Sequence, residues 1–288
     1  MLMNSIDVSL SSAPAQGNAL LPYLSGRVSV GDIKMYYQIL SRGEPLLMIM
    51  GLAGHSLDWG EKLPRRLAEQ YQVILFDNRG AGRSDQPAGS FTIKQMAEDA
   101  VGLMDALGID RAHVLGGSMG GMIALQVALD YPDRVNKLVL GATTSGGKRR
   151  VFPPPEIERY FIPRPDLSAH DYLLWTSEVC YPPEFIKAHP EIVEDKISAN
   201  LAYPGTLESY QSQLEAFRTF DVDDRLDSID AETLVITGNR DVLIPPQNSY
   251  LIAERIPNAK IRVIEGAGHI FWISHPEETA RIAREFLA

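Results

Sequence analysis

The chain has 288 residues, 45% hydrophobic and 22% charged, a balance that suits one large α/β domain or two small ones with a sizeable core. Its 27 basic residues stand against 37 acidic ones, a formal net charge of -10, which argues against nucleic acid or an anionic membrane as a partner. The single cysteine, Cys180, excludes an internal disulfide and lies outside any Cys/His cluster of the kind that holds zinc. There is no apolar run of about 18 residues, so no membrane-spanning helix is expected. The first residues lack a basic stretch followed by a continuous apolar core, so a cytoplasmic location is the expectation.

Residues 1–25 are rich in Ser, Ala and Pro without a period and read as an extension outside the core. Arg27 to Val30 and Ile33 to Leu40 flank Gly31-Asp32 as an opening hairpin. Leu46 to Met50 and Val73 to Phe76 are continuous apolar runs, the signature of strands buried on both faces. A helix over Leu63 to Gln70 lies between them. The next helix opens with Thr92-x-x-Gln95 as a capping box and keeps Ile93, Met96, Ala97, Ala100, Met104 and Leu107 at helical spacing. A strand at Ala112 to Leu115, a helix from Met119 to Leu129 and a strand over Val135 to Leu140 follow. Such alternation predicts an α/β fold with a mostly parallel sheet covered by helices on both faces.

Residues 143–220 differ: prolines punctuate short helical segments, such as Asp171 to Val179 and Leu207 to Phe217, and aromatics are dense. This stretch reads as an inserted helical cap, with 26–142 and 221–288 forming the core. The alternation then resumes with a strand at Thr233 to Thr237, a helix over Gln247 to Ile256 and a strand from Lys260 to Ile264. A closing helix from Pro276 to Leu287 has Ser274-x-x-Glu277 as a second capping box.

The chemistry centres on Gly116-x-Ser118-x-Gly120, set between a buried strand and an apolar helix. That arrangement is a nucleophile elbow, a strained turn that lifts a serine above the sheet. An inert Gly/Ser loop can carry the same five residues, so the reading depends on partners. A serine hydroxyl needs a base, and the base an orienting acid. Among the six histidines, His113 lies inside the elbow strand, His170 and His189 in the insertion, and His275 at a helix start. His55 occupies the first strand-helix loop, whereas His269 follows the last strand in Gly266-Ala267-Gly268-His269. Strand ends on one sheet edge are where ligands bind, so His269 is the expected base. Asp241, in Gly238-Asn239-Arg240-Asp241 after the preceding strand, is the expected acid; Asp221, Asp223 and Asp224 read as solvated charges. Ser118, Asp241 and His269 thus occur in the chain order expected for an α/β-hydrolase.

From Arg27 onward the chain resembles the α/β-hydrolase superfamily, and within it capped bacterial esterases and lactone-opening enzymes of the 3-oxoadipate enol-lactonase type. The resemblance rests on the Gly51 loop, Asp77-x-Arg79-Gly80-x-Gly82-x-Ser84, the elbow, Gly238-x-x-Asp241 with Ile244-Pro245-Pro246, and Gly266-x-Gly268-His269. It implies an oxyanion hole formed by the backbone N–H groups of Leu52 and Met119. Many relatives carry His-Gly at that loop, where this chain has Met50-Gly51. The Asp77-Arg79-Gly80 segment fixes a turn and has no catalytic part.

The expected activity is hydrolysis of a small-molecule ester or lactone with an apolar acyl or alcohol group, through a Ser-His-Asp triad and an acyl-enzyme. No cofactor or metal is expected, and the chain is expected to act as a monomer or homodimer. His55, Trp175, Tyr210 and Phe271 are the candidate pocket residues. Cleavage of an activated C–C bond uses the same triad, and a slow or non-catalytic ligand-binding receptor could use the same scaffold. Serine rather than aspartate at the elbow excludes dehalogenase and epoxide-hydrolase chemistry. Without Gly-x-Gly-x-x-Gly in the first strand-helix unit, hydride transfer is a poor fit.

Overall fold

In the computed structural model, which describes residues 7–9 and 23–288, the chain enters along one edge of a nine-stranded sheet. Strands β1 (Asp7–Ser9), β2 (Tyr23–Val30) and β3 (Ile33–Leu40) run antiparallel, with Asp7 opposite Arg27 and Val30 opposite Ile33. The expected extension over 1–25 therefore needs correction: backbone pairing brings Asp7–Ser9 and Tyr23–Ser25 into the sheet edge. The remainder of that stretch, 1–6 and 10–22, lies outside the described residues.

Strand-helix alternation follows through β4 (Glu44–Ile49), α1 (Lys62–Leu67), β5 (Tyr71–Phe76), α2 (Ile93–Ala106), β6 (Ala112–Gly117), α3 (Met119–Asp130) and β7 (Val135–Gly141). Leu46 to Ile49 are all buried, as a strand covered on both faces requires. Between β7 and the next strand the chain forms only helices: α4 (Pro155–Glu158), α5 (Ala169–Cys180), α6 (Pro183–Ala188), α7 (Pro190–Ala202), α8 (Leu207–Thr219) and short 3-10 turns. Near the two ends of this helical stretch, Gly146 and Asp221 face each other as an antiparallel bridge. The order closes with β8 (Glu232–Gly238), α9 (Gln247–Arg255), β9 (Ala259–Ile264), α10 (Phe271–Ser274) and α11 (Pro276–Leu287).

Two apolar layers sandwich the sheet. Met96, Ala100 and Met104 of α2, Met122, Ile123 and Val127 of α3 and Ile252 of α9 fill one. Leu63 and Leu67 of α1, Trp272 of α10 and Ala283 and Leu287 of α11 fill the other. Thr92 caps α2, its hydroxyl accepting the Gln95 N–H at 3.2 Å, but the Gln95 side chain makes no return bond, so the first expected capping box forms only by half. The second expected capping box does not form. Pro276 takes the first helical position, which shifts the cap to His275 with no side-chain bond, and Ser274 lies outside the helix. Among the described residues no helix is long and apolar enough to cross a membrane.

The strand order, β1-β2-β3-β5-β4-β6-β7-β8-β9, positions the site. From β4 the chain first adds β5 on one side, then crosses back to add β6 on the other, parallel to both neighbours. Such a reversal opens a crevice at the carboxyl ends of the strands, the usual ligand site of open α/β sheets. Here it sets the loop after β4 beside the turn after β6.

Candidate active site

Ser118 is the single residue between β6 and α3. Its backbone sits at φ 56°, ψ -126°, a region that costs a non-glycine residue about 1–3 kcal/mol and persists only where the surroundings enforce it. Here the enforcement comes from the strand alongside. The Ser118 N–H donates to the Gly141 carbonyl at 2.8 Å, and the Thr143 hydroxyl donates to the Ser118 carbonyl at 2.7 Å. A Cβ on Gly120 would lie 1.9 Å from the Ile49 carbonyl oxygen, and one on Gly116 would lie 2.2 Å from the Gly120 oxygen. The flanking glycines are thus there because α3 starts directly against the end of β4.

Two loops at the same sheet edge bring the partners. His269 Nε2 lies 3.0 Å from Ser118 Oγ, and its Nδ1 lies 2.8 Å from Asp241 Oδ2. The other Asp241 oxygen accepts the N–H groups of Leu243 and Ile244, both at 2.9 Å, which fixes the carboxylate plane. With Nδ1–H donated to that carboxylate, Nε2 is left to accept the serine proton. The two loops lean on one another: Arg240 N–H donates to the Ala267 carbonyl at 2.9 Å. From above, the Cys180 carbonyl at the end of α5 accepts Ile270 N–H at 3.2 Å, so the insertion rests on the His269 loop. Burial pushes the Cys180 thiol up to about 12, which leaves it an inert thiol.

The loop after β4 comes close to the elbow. A Cβ on Gly51 would fall 2.8 Å from Ser118 Cβ, so only glycine lets the backbone pass there. Among the described residues, neither Leu52 N–H nor Met119 N–H donates to a protein partner. Asn78 donates to the Met50 carbonyl at 2.8 Å, and Asp77 accepts Ser56 N–H at 2.7 Å and Arg83 N–H at 2.8 Å. The Asp77–Ser84 segment therefore fixes its own turn and, through Asn78 and Asp77, the neighbouring loop as well. Arg79 pairs with buried Asp99 and, at 3.0 Å, with Asp32.

Farther along the loop, Asp58 is buried and accepts from Lys196 and Asn200 of α7. Burial alone would raise its carboxyl, but Lys196 and the His55 imidazole and backbone N–H outweigh it and bring the pKa down to about 2. Trp272, beside His269, donates its indole N–H to the Asp58 carbonyl at 3.0 Å. Among the described residues no three His, Cys, Asp or Glu side chains converge as a metal site would need.

Two of the expected pocket residues are buried. His55 is 1% exposed, and its Nδ1 accepts the Leu57 N–H at 3.3 Å, capping the short turn Ser56–Trp59. Phe271 is 2% exposed and packs beneath the sheet edge against Gly141, beside an apolar void of about 10 Å³, room for one water at most. Loop position alone does not report which way a side chain turns. Trp175 is half-buried and stacks on Tyr160 at 4.2 Å; Tyr210 is half-buried and donates to the Phe161 carbonyl at 2.9 Å. Asp223, expected as a solvated charge, is buried and accepts from Arg149 Nε and Nη2 and from Ser145. Gln213, Asn78 and Lys196 reach the Gly51 loop from distant segments, and no local sequence pattern marks them.

Residues 44–276 match the family profile described as alpha/beta hydrolase fold. The chain is 33% identical over 261 residues to a protein of Azorhizobium caulinodans named "Putative carbamate hydrolase RutD", covering 89% of this chain and 94% of that one. A solved structure described as Est816, an N-acyl homoserine lactone degrading enzyme, is similar at 30% identity and TM-score 0.75, covering 90% of this chain and 99% of that one. A thermophilic esterase from Thermogutta terrifontis is similar at 26% identity and TM-score 0.77, covering 91% and 97%.

Proposed function

This chain belongs to the α/β-hydrolase family, and we propose that within it the protein is a serine hydrolase cleaving carboxylic esters or lactones with an apolar acyl or alcohol group. The observation that carries this reading is His269, set 3.0 Å from Ser118 Oγ on one side and 2.8 Å from Asp241 on the other. In this reading His269 takes the Ser118 proton as Oγ attacks the carbonyl carbon. The N–H groups of Leu52 and Met119 hold the oxygen that becomes negative. His269 then returns the proton to the departing alkoxide, and water, activated by the same imidazole, releases the acid from the acyl-enzyme. In a lactone the departing alcohol stays tethered to the acid, with no change to the steps. Trp175 on α5 and Tyr210 on α8, both within the insertion that acts as the cap, are the aromatic side chains assigned to the apolar part of the substrate.

Carbamate hydrolysis is the second reading, favoured by the 33% identity to the RutD protein over 89% of the chain. The same attack would apply, but nitrogen donation into the carbonyl makes a carbamate less electrophilic than an ester. Steady-state kinetics over p-nitrophenyl esters of increasing chain length, N-acyl homoserine lactones and alkyl carbamates separate the two by the largest kcat/KM. Ser118→Ala is expected to lower kcat by on the order of 10⁶, as loss of a triad serine does elsewhere. Turnover that survives this change would overturn both readings.

A further inference from the structure

The loop beside the elbow makes an unusual demand on its backbone. Gly54 N–H donates to the Gly51 carbonyl at 3.1 Å, closing a four-residue turn. Ala53, its third residue, has φ 55°. That place in a turn ordinarily takes glycine or asparagine, because a side chain prefers the alternative with the central peptide turned over and φ negative. The central peptide here is the one joining Leu52 to Ala53, so holding it fixes the turn that carries the Leu52 N–H, which itself belongs to the preceding Gly51–Leu52 peptide.

Gln213 holds that peptide. Its Oε1 accepts Ala53 N–H at 2.6 Å, and its Nε2 donates to the Arg79 carbonyl at 2.9 Å. The side chain is 0% exposed. Because Ala53 offers only a donor and Arg79 only an acceptor, a single orientation of the amide satisfies both. If the central peptide turned over, the Leu52 carbonyl would face the Gln213 oxygen and leave two acceptors opposed.

We propose that Gln213 is a positioning residue. From helix α8 it locks the Leu52–Ala53 peptide, and so steadies the turn that carries the oxyanion-binding N–H of Leu52. The insertion is then part of the catalytic geometry as well as its cover. This inference rests on the hydrolase reading above, in which Leu52 N–H serves the transition state.

Gln213→Met and Gln213→Glu test it, with wild type alongside. In Gln213→Met, kcat is expected to fall about 10- to 100-fold, the scale of a misplaced catalytic group, while KM stays close to wild type. In Gln213→Glu the neutral carboxylic acid can donate to the Arg79 carbonyl and accept Ala53 N–H, whereas the carboxylate would face that carbonyl oxygen. Burial raises the pKa of such a group. The ratio of Gln213→Glu to wild-type kcat should therefore be near one at low pH and fall as pH rises. Amide hydrogen exchange at Ala53 should accelerate in Gln213→Met. Unchanged kcat in Gln213→Met, or a Gln213→Glu ratio that does not vary with pH, would overturn the proposal. Wild-type protein that turns over no ester, lactone or carbamate would instead overturn the hydrolase reading. Ala53 exchange would then still decide the clamp, acceleration supporting it and an unchanged rate overturning it.

Discussion

The turn at Ser118 is fixed almost wholly by main chain. Gly116 and Gly120 admit backbone where a Cβ would collide, Gly141 holds the strained peptide by its carbonyl, and the one side chain involved, Thr143, lies just past the end of β7. The loop that faces it, Gly51 to Trp59, is held by side chains: Asn78 and Asp77 from one segment, Lys196 and Asn200 from α7, Gln213 from α8. Steric exclusion by a carbonyl admits no gradual adjustment, whereas a polar side-chain contact can be exchanged or titrated. The Ser118 turn is therefore rigid by construction, and the loop facing it is adjustable.

The largest effect should come from Gly120→Ala on the rigid side. Its new Cβ would meet the Ile49 carbonyl at 1.9 Å, and because neither backbone can yield, destabilisation of about 3 kcal/mol or more is expected. Urea denaturation measures it, and a variant as stable as wild type would break the contrast.

On the adjustable side the expected signature is a pH dependence. The Asp58 carboxyl is lowered from 3.8 to about 2 in the folded chain, with burial opposing and Lys196 and His55 prevailing. The unfolded chain binds that proton more readily, so the contribution is fully present above pH 4 and is lost as pH falls toward 2. Its size is roughly 2 kcal/mol. Stability measured by denaturant across pH 2–5 should show this loss in wild type and not in Asp58→Asn; parallel curves would refute it.

The smallest effect belongs to Thr143→Val, which removes the hydroxyl donated to the Ser118 carbonyl. A loss of about 1 kcal/mol is expected for one neutral hydrogen bond, visible as a modest drop in the denaturation midpoint. A drop several times larger would show that the elbow leans on this single side chain, contrary to the contrast drawn above.

The same division separates what could be read in the sequence from what could not. The elbow, the buried strands and the places of Asp241 and His269 follow from short-range pattern, because glycine spacing, apolar runs and strand ends are local properties. The polar contacts on the facing loop join residues as far apart as Ala53 and Gln213, 160 positions in the chain, and no periodicity announces them. Asp223 looked like one of a run of surface charges because Arg149, its partner, comes from the other end of the insertion. The burial of His55 and Phe271 is not legible, since an isolated aromatic in a glycine-rich loop carries no alternation to fix its direction. The missing cap at Ser274 is different: proline at the first helical position decides where α11 begins and overrides the Ser-x-x-Glu pattern.

The bridge between Gly146 and Asp221 has an evolutionary consequence. Val222 N–H donates to the Ser145 carbonyl at 2.9 Å, so the two ends of the insertion meet in a short stem, and the intervening chain begins and finishes at one point. Loop-closure entropy grows only slowly with length, so a cassette of another size or composition could be spliced onto this stem without disturbing strand order. Substrate range could diversify by exchange at one locus. Any replacement, however, would need its own group to receive the Ala53 amide.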